Sequence, residues 1–73
     1  MGATVETYCE QGEWRNRLRG RDPLPGTYRG QEAAVEVGRA EARIRGVAHV
    51  IRREDGSVAE RNRYPRRSEE IPG

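Results

Sequence analysis

Thr4-Val5-Glu6-Thr7-Tyr8-Cys9-Glu10-Gln11-Gly12-Glu13-Trp14-Arg15-Asn16-Arg17-Leu18-Arg19 is the stretch that decides the fold. Residues 4–9 are rich in β-formers, Gln11-Gly12 reads as a turn, and residues 14–19 read as a second strand. A two-residue loop sets Cys9 opposite Trp14, Thr7 opposite Asn16 and Val5 opposite Leu18. The reverse face then pairs Tyr8 with Arg15 and Glu6 with Arg17. This register gathers the apolar residues on one side and leaves an acid–base pair on the other. Side chains alternate along a strand, so Arg15, Arg17 and Arg19 share the outer face. Such a row suits an anionic partner, although Glu6 partly neutralises it.

Downstream, residues 20–26 contain Pro23 and Pro25 and are irregular. Tyr28 is expected to anchor the chain against the sheet before a helix over residues 31–45. Gly30 is its N-cap, Glu32 suits the positive end of its dipole, and Gly46 terminates it in the left-handed region. On a helical wheel Ala34, Val35, Gly38 and Ala42 form one apolar flank. Ala33, Val37, Ala40 and Ile44 form another, leaving Val37 and Ile44 as candidates for self-association. Charged pairs are expected at Glu36–Arg39 and Glu41–Arg45. Gly38 costs about 1 kcal/mol relative to Ala in mid-helix, which predicts a close approach of the backbone to something bulky, with Trp14 the candidate. Residues 47–53 and 57–64 form a second hairpin around Asp55-Gly56, the strongest turn signal in the chain. Its register stays open between a two-residue turn and a three-residue loop with a glycine bulge. Pro65 ends the last strand, and residues 65–73 read as a flexible polar tail.

The fold class is therefore α+β: one small domain over residues 1–64, hairpin–helix–hairpin, with an antiparallel sheet and one helix on one face. A chain of 73 residues buries roughly 60% of its extended surface, so about 3–5 kcal/mol of stability is expected. Cys9 is the only cysteine, which excludes an intrachain disulfide and fits a reducing, cytoplasmic setting. No run approaches a membrane span, and no signal peptide is read. The 14 basic residues are all arginine and the net charge is +2. A GC-rich genome, which encodes Arg in preference to Lys, is the favoured explanation for the missing lysine, ahead of selection for phosphate-binding forks.

The stretches Val5-Glu6-Thr7-Tyr8, Gly12-Glu13-Trp14-Arg15-Asn16, Glu32-Ala33-Ala34-Val35 and Gly38-Arg39 resemble a family of small bacterial and phage proteins. So do Gly46-Val47-Ala48-His49-Val50-Ile51 and the run Asp55-Gly56-Ser57-Val58-Ala59-Glu60-Arg61-Asn62-Arg63-Tyr64. The family is Domain of Unknown Function 2188. The likeness spans about residues 4–64 and supports the fold while bringing no established activity. Gly30 stands where the family usually has Thr, and Tyr64-Pro65-Arg66-Arg67 replaces its usual Tyr-Gly-x-Asp-Pro ending. A shorter stretch, Gly26-Thr27-Tyr28 before an Ala-rich helix ending Arg45-Gly46, is similar to plant ethylene-response DNA-binding domains. Helix-on-sheet packing accounts for that second likeness.

His49 is the only histidine, so spacing assembles no metal site, and a lone strand histidine reads as a half-buried packing residue. No phosphate loop is present. Enzymatic activity, cofactors and a small-molecule substrate are not expected. The favoured reading is a protein-interaction or self-associating module that completes its thin core through sheet edges or through the flank of Val37 and Ile44. The alternative is nucleic-acid binding through Arg15, Arg17, Arg19, Arg61 and Arg63 on the sheet. The two readings make opposite demands: unpaired, exposed arginines for one, exposed Val37 or Ile44 for the other.

Overall fold

A computed structural model describes residues 3–64; the tail read at residues 65–73 lies outside them. Strands β1 (Thr4–Glu10) and β2 (Glu13–Leu18) form the first hairpin, and helix α1 (Gln31–Arg45) follows. Strands β3 (Ala48–Arg52) and β4 (Val58–Arg63) form the second. Gln11 and Gly12 both have positive φ, 53° and 80°, the turn whose twist matches a two-residue hairpin. That turn fixes the register expected from the sequence, with Cys9 across from Trp14, Thr7 from Asn16 and Glu6 from Arg17.

All four strands share one sheet in the order β2-β1-β3-β4. The expectation of an antiparallel sheet needs correcting, because β1 and β3 run parallel, Thr4 pairing with Ala48 and Thr7 with Ile51. The helix is the reason. It crosses over the sheet and returns the chain to the same end, as a parallel pair requires. Within the second hairpin the three-residue loop is the one adopted. Gly56 has φ 93°, its N–H donates to Arg53 O, and Arg53 N–H donates to Ser57 O. Beyond the loop, a register shift between Ile51 and Arg52 leaves Ala59 of β4 without a partner across the ladder.

The proline-containing connection does structural work. Tyr28 and Trp14 exchange backbone hydrogen bonds of 2.9 and 2.8 Å, and Leu24 N–H donates to Asn16 O at 2.8 Å. The outer edge of β2 is thereby covered, which leaves β4 as the open edge of the sheet. Gly30 caps the helix without a side chain to offer. At the other end Gly46 is left-handed, its N–H reaches Arg43 O, and Val47 N–H reaches Ala42 O at 3.0 Å. Those two bonds satisfy carbonyls that the last helical turn leaves free.

Ala34, Gly38 and Ala42 are the buried residues of the helix. They meet a sheet face that includes Val5, Thr7, Asn16, His49 and Ile51, all buried. Gly38 does approach its neighbours closely, but Trp14 is not among the nearest. A Cβ there would lie 2.5 Å from Asn16 Oδ1, 2.6 Å from Thr7 Oγ1 and 2.7 Å from His49 Nε2. The helix backbone packs on a polar cluster, where small residues are needed to let it in.

Candidate functional site

Polar groups in a small core must be paired, and this cluster nearly closes. Asn16 Nδ2 donates to Ala34 O at 3.0 Å, which turns Asn16 Oδ1 toward Thr7. The Thr7 hydroxyl donates its one proton to that oxygen at 2.6 Å. It must then accept from His49 Nε2, 2.7 Å away. His49 is accordingly the tautomer protonated on Nε2, and Nδ1 is a buried acceptor with no partner among the described residues. The side chain is 0% exposed, which corrects the half-buried placement expected from sequence. Burial holds its pKa below the ordinary histidine value. The charge of Arg39 on α1 acts in the same sense, and Glu60 on β4 partly opposes both. The cluster joins β1, β2, β3 and α1 and holds them in register.

The opposite sheet face has no helix on it, yet its centre is buried. Thr4, Glu6, Tyr8 and Val50 lie there by strand alternation, and Glu6 is only 2% exposed. Arginines form the cover. Arg17 Nε donates to Glu6 Oε1 at 2.9 Å and its guanidinium sits 4.3 Å over the Tyr8 ring. Arg52 Nη2 donates to Glu6 Oε2 at 3.0 Å, and Nη1 of the same residue donates to Gly56 O. Arg19 Nε stands 3.9 Å from Glu6 Oε2. Burial alone would raise the pKa of Glu6. The hydrogen bonds and charges of Arg17 and Arg52 outweigh that, and the carboxyl is held below its ordinary value.

The predicted arginines divide accordingly. Arg15, Arg17 and Arg19 share one face as expected, but Arg17 and Arg19 turn onto Glu6, and Arg15 lies 3.9 Å from Glu13. Arg61 and Arg63 pair across from Val50 and Ala48, which places them on the same face at the far edge. Neither makes an ion pair among the described residues. Arg52 was not among the arginines expected here; alternation along β3 puts it on the face of Ala48 and Val50, and only the parallel β1–β3 pairing brings that face beside Glu6.

The helix supplies the second surface. Ala33, Val37, Ala40 and Ile44 are all exposed, Val37 by 37% and Ile44 by 80%. The pairs Glu36–Arg39 and Glu41–Arg45 form on either side of this stripe, at 3.3 and 3.0 Å. Arg43 lies 5.4 Å over the Tyr64 ring. No helix is long and apolar enough to cross a membrane among the described residues. No group of three or more His, Cys, Asp or Glu that could hold a metal occurs among them either.

A ββαββ domain with a polar-cored helix face and an arginine-covered sheet face is thus the class of protein defined by the geometry. The family model described as "Uncharacterized protein conserved in bacteria (DUF2188)" matches residues 5–64. The chain belongs to that family, as its sequence resemblance implied. No curated protein and no solved structure matches it.

Proposed function

We propose that the protein is a non-enzymatic interaction module that self-associates in the cytoplasm through the α1 stripe of Ala33, Val37, Ala40 and Ile44. The exposure of Ile44 and Val37 carries this reading, because the sheet leaves both side chains uncovered. The stripe repeats at intervals of four, three and four residues, the spacing of a helix–helix seam. Alanines between the larger residues let two helix axes approach to about 8 Å.

A second copy is the occupant that the charges favour. An antiparallel crossing sets Ala33 against Ile44 and Val37 against Ala40, with helix dipoles opposed. Glu36 of one copy then lies beside Arg43 of the other, on the same flank of the seam, twice over. Covering Ile44 and the exposed part of Val37 in both copies contributes roughly 5–8 kcal/mol. Association costs at least about 4 kcal/mol in lost freedom, so the dimer is weak. The margin is at most about 4 kcal/mol, so a dissociation constant on the order of 1 mM is expected.

Sedimentation equilibrium at concentrations on either side of about 1 mM tests this reading. Wild type should shift from monomer toward dimer, while Ile44→Glu should stay monomeric with an unchanged circular dichroism spectrum. A wild type that is strictly monomeric at about 5 mM sinks the reading. A dimeric Ile44→Glu moves the contact to the open edge of β4.

A further inference from the structure

We infer that the sheet face opposite the helix binds the phosphodiester backbone of nucleic acid, with buried Glu6 gathering Arg17, Arg19 and Arg52 into its centre. Three cations surround one carboxylate there, at 2.9, 3.9 and 3.0 Å. Holding a buried Glu in place needs one of them. The surplus leaves two positive charges at the middle of an open face, and most of their N–H donors are not spent on Glu6. Arg19 is the clearest case, with a side chain 62% exposed and its nitrogen only grazing the carboxylate.

Strand alternation and register add Arg15 on β2 and Arg61 and Arg63 on β4 to the same face. Glu10 and Glu13 lie there too, at the turn end of the first hairpin. The face thus carries six arginines against three glutamates, Glu6 included, whereas helix α1 carries three of each sign. Charge is segregated onto the sheet face. Two arginine rows, on β2 and β4, stand about 14 Å apart, three strand spacings. Successive arginines within a row are roughly 6.7 Å apart.

Several features select phosphate over other anionic partners. Planar guanidinium forks match phosphate oxygens bidentately. The apolar side chains at the centre of this face, Val50 and Tyr8, are buried, and Val58, paired with Arg52 at its rim, is the single large apolar residue exposed there, too little to anchor in a lipid surface. Base edges are not addressed by any uncovered aromatic side chain on the face, so binding is backbone-directed and insensitive to sequence. Self-association through α1 is not required, since that stripe lies on another surface.

The experiment is fluorescence anisotropy of labelled mixed-sequence duplex and single-stranded DNA with the full chain, at about 50 and 200 mM salt. Three phosphates neutralised, the net charge of the face, give a salt slope near −2.7 and a loss of affinity of roughly 40-fold across that range. Duplex and single strand separate the two sources of the same backbone chemistry. The double variant Arg61→Gln with Arg63→Gln, both exposed, should fold normally and reduce the slope by about 1.8. Arg19→Gln should weaken binding in the same manner. Glu6→Gln frees the central guanidiniums and should tighten binding several-fold at the lower salt; if it unfolds, the exposed-arginine variants decide. Absence of binding by wild type at about 50 mM salt overturns the inference. Unchanged affinity in the Arg61/Arg63 variant, or equal affinity for polyglutamate of matched charge, overturns it as well. Ile44→Glu should bind as wild type does.

Discussion

Gly38→Ala is the substitution that most directly probes how the helix sits on the sheet. On propensity alone the change should stabilise the helix by about 1 kcal/mol. The new methyl carbon, however, would stand 2.5, 2.6 and 2.7 Å from Asn16 Oδ1, Thr7 Oγ1 and His49 Nε2. All three atoms end short side chains that are hydrogen-bonded to one another or to the helix backbone, so none can swing aside cheaply. Overpacking costs about 1–3 kcal/mol, and a bond lost in a buried network costs a further 1–3 kcal/mol or so. The net is a destabilisation of about 2–3 kcal/mol after the propensity gain is deducted. Against a total near 3–5 kcal/mol, that leaves a barely folded protein. Urea unfolding followed by circular dichroism measures it, with Ala40→Gly on the exposed stripe as a control that should lose only about 1 kcal/mol. Asn16→Ala removes the nearest oxygen, so the cost of Gly38→Ala should shrink in that background, a coupling that a double-mutant cycle reads. A Gly38→Ala protein as stable as wild type would refute the packing argument outright.

Further outcomes follow from the two buried ionisable groups. His49 is neutral in the fold and its pKa is lowered chiefly by burial, with Arg39 adding to the shift and Glu60 opposing it. The unfolded chain therefore takes up a proton first, and stability should fall as pH drops below the ordinary histidine value of about 6.5. Urea midpoints in His49→Gln should lose that dependence between about pH 6.5 and 5, and a wild type with flat midpoints there contradicts the buried neutral imidazole. Glu6 acts lower on the scale, because its pKa is depressed below the ordinary value. Its contribution is complete above that value and disappears as pH falls through the folded pKa. Glu6→Gln should cost about 2 kcal/mol at neutral pH and flatten the acid limb; a melting temperature equal to wild type would remove Glu6 from the account of stability.

Much of this architecture was legible because local chemistry determines it. Gln11-Gly12 and the alternation around it specify one register for the first hairpin, and the structure adopts it. Gly30, Glu32 and Gly46 bracket the helix, which runs from Gln31 to Arg45. Direction between hairpins is another matter: alternation reads the same whether β3 lies parallel or antiparallel to β1, so the parallel pairing left no trace in the pattern. Gly38 announced a close approach without saying to what. Thr7, Asn16 and His49 come from three strands, and each alone looks like an ordinary polar strand residue. The arginine row was visible, but the burial of Glu6 beneath it depends on Arg52, which reaches Glu6 only because β3 lies beside β1.

The parallel pairing has a consequence for how the chain must assemble. Each hairpin closes a loop of a few residues, whereas joining Thr4 to Ala48 closes one of more than forty. On a logarithmic loop-entropy scale that difference is worth about 2 kcal/mol, before any seam contact repays it. The central pair of strands is therefore the costliest contact of the sheet to close. Neither half can hold its fold alone, since the polar cluster draws Thr7 and Asn16 from one half and His49 from the other. A chain severed between Pro23 and Gly26 would become two fragments that fold only on meeting, and folding would then depend on concentration.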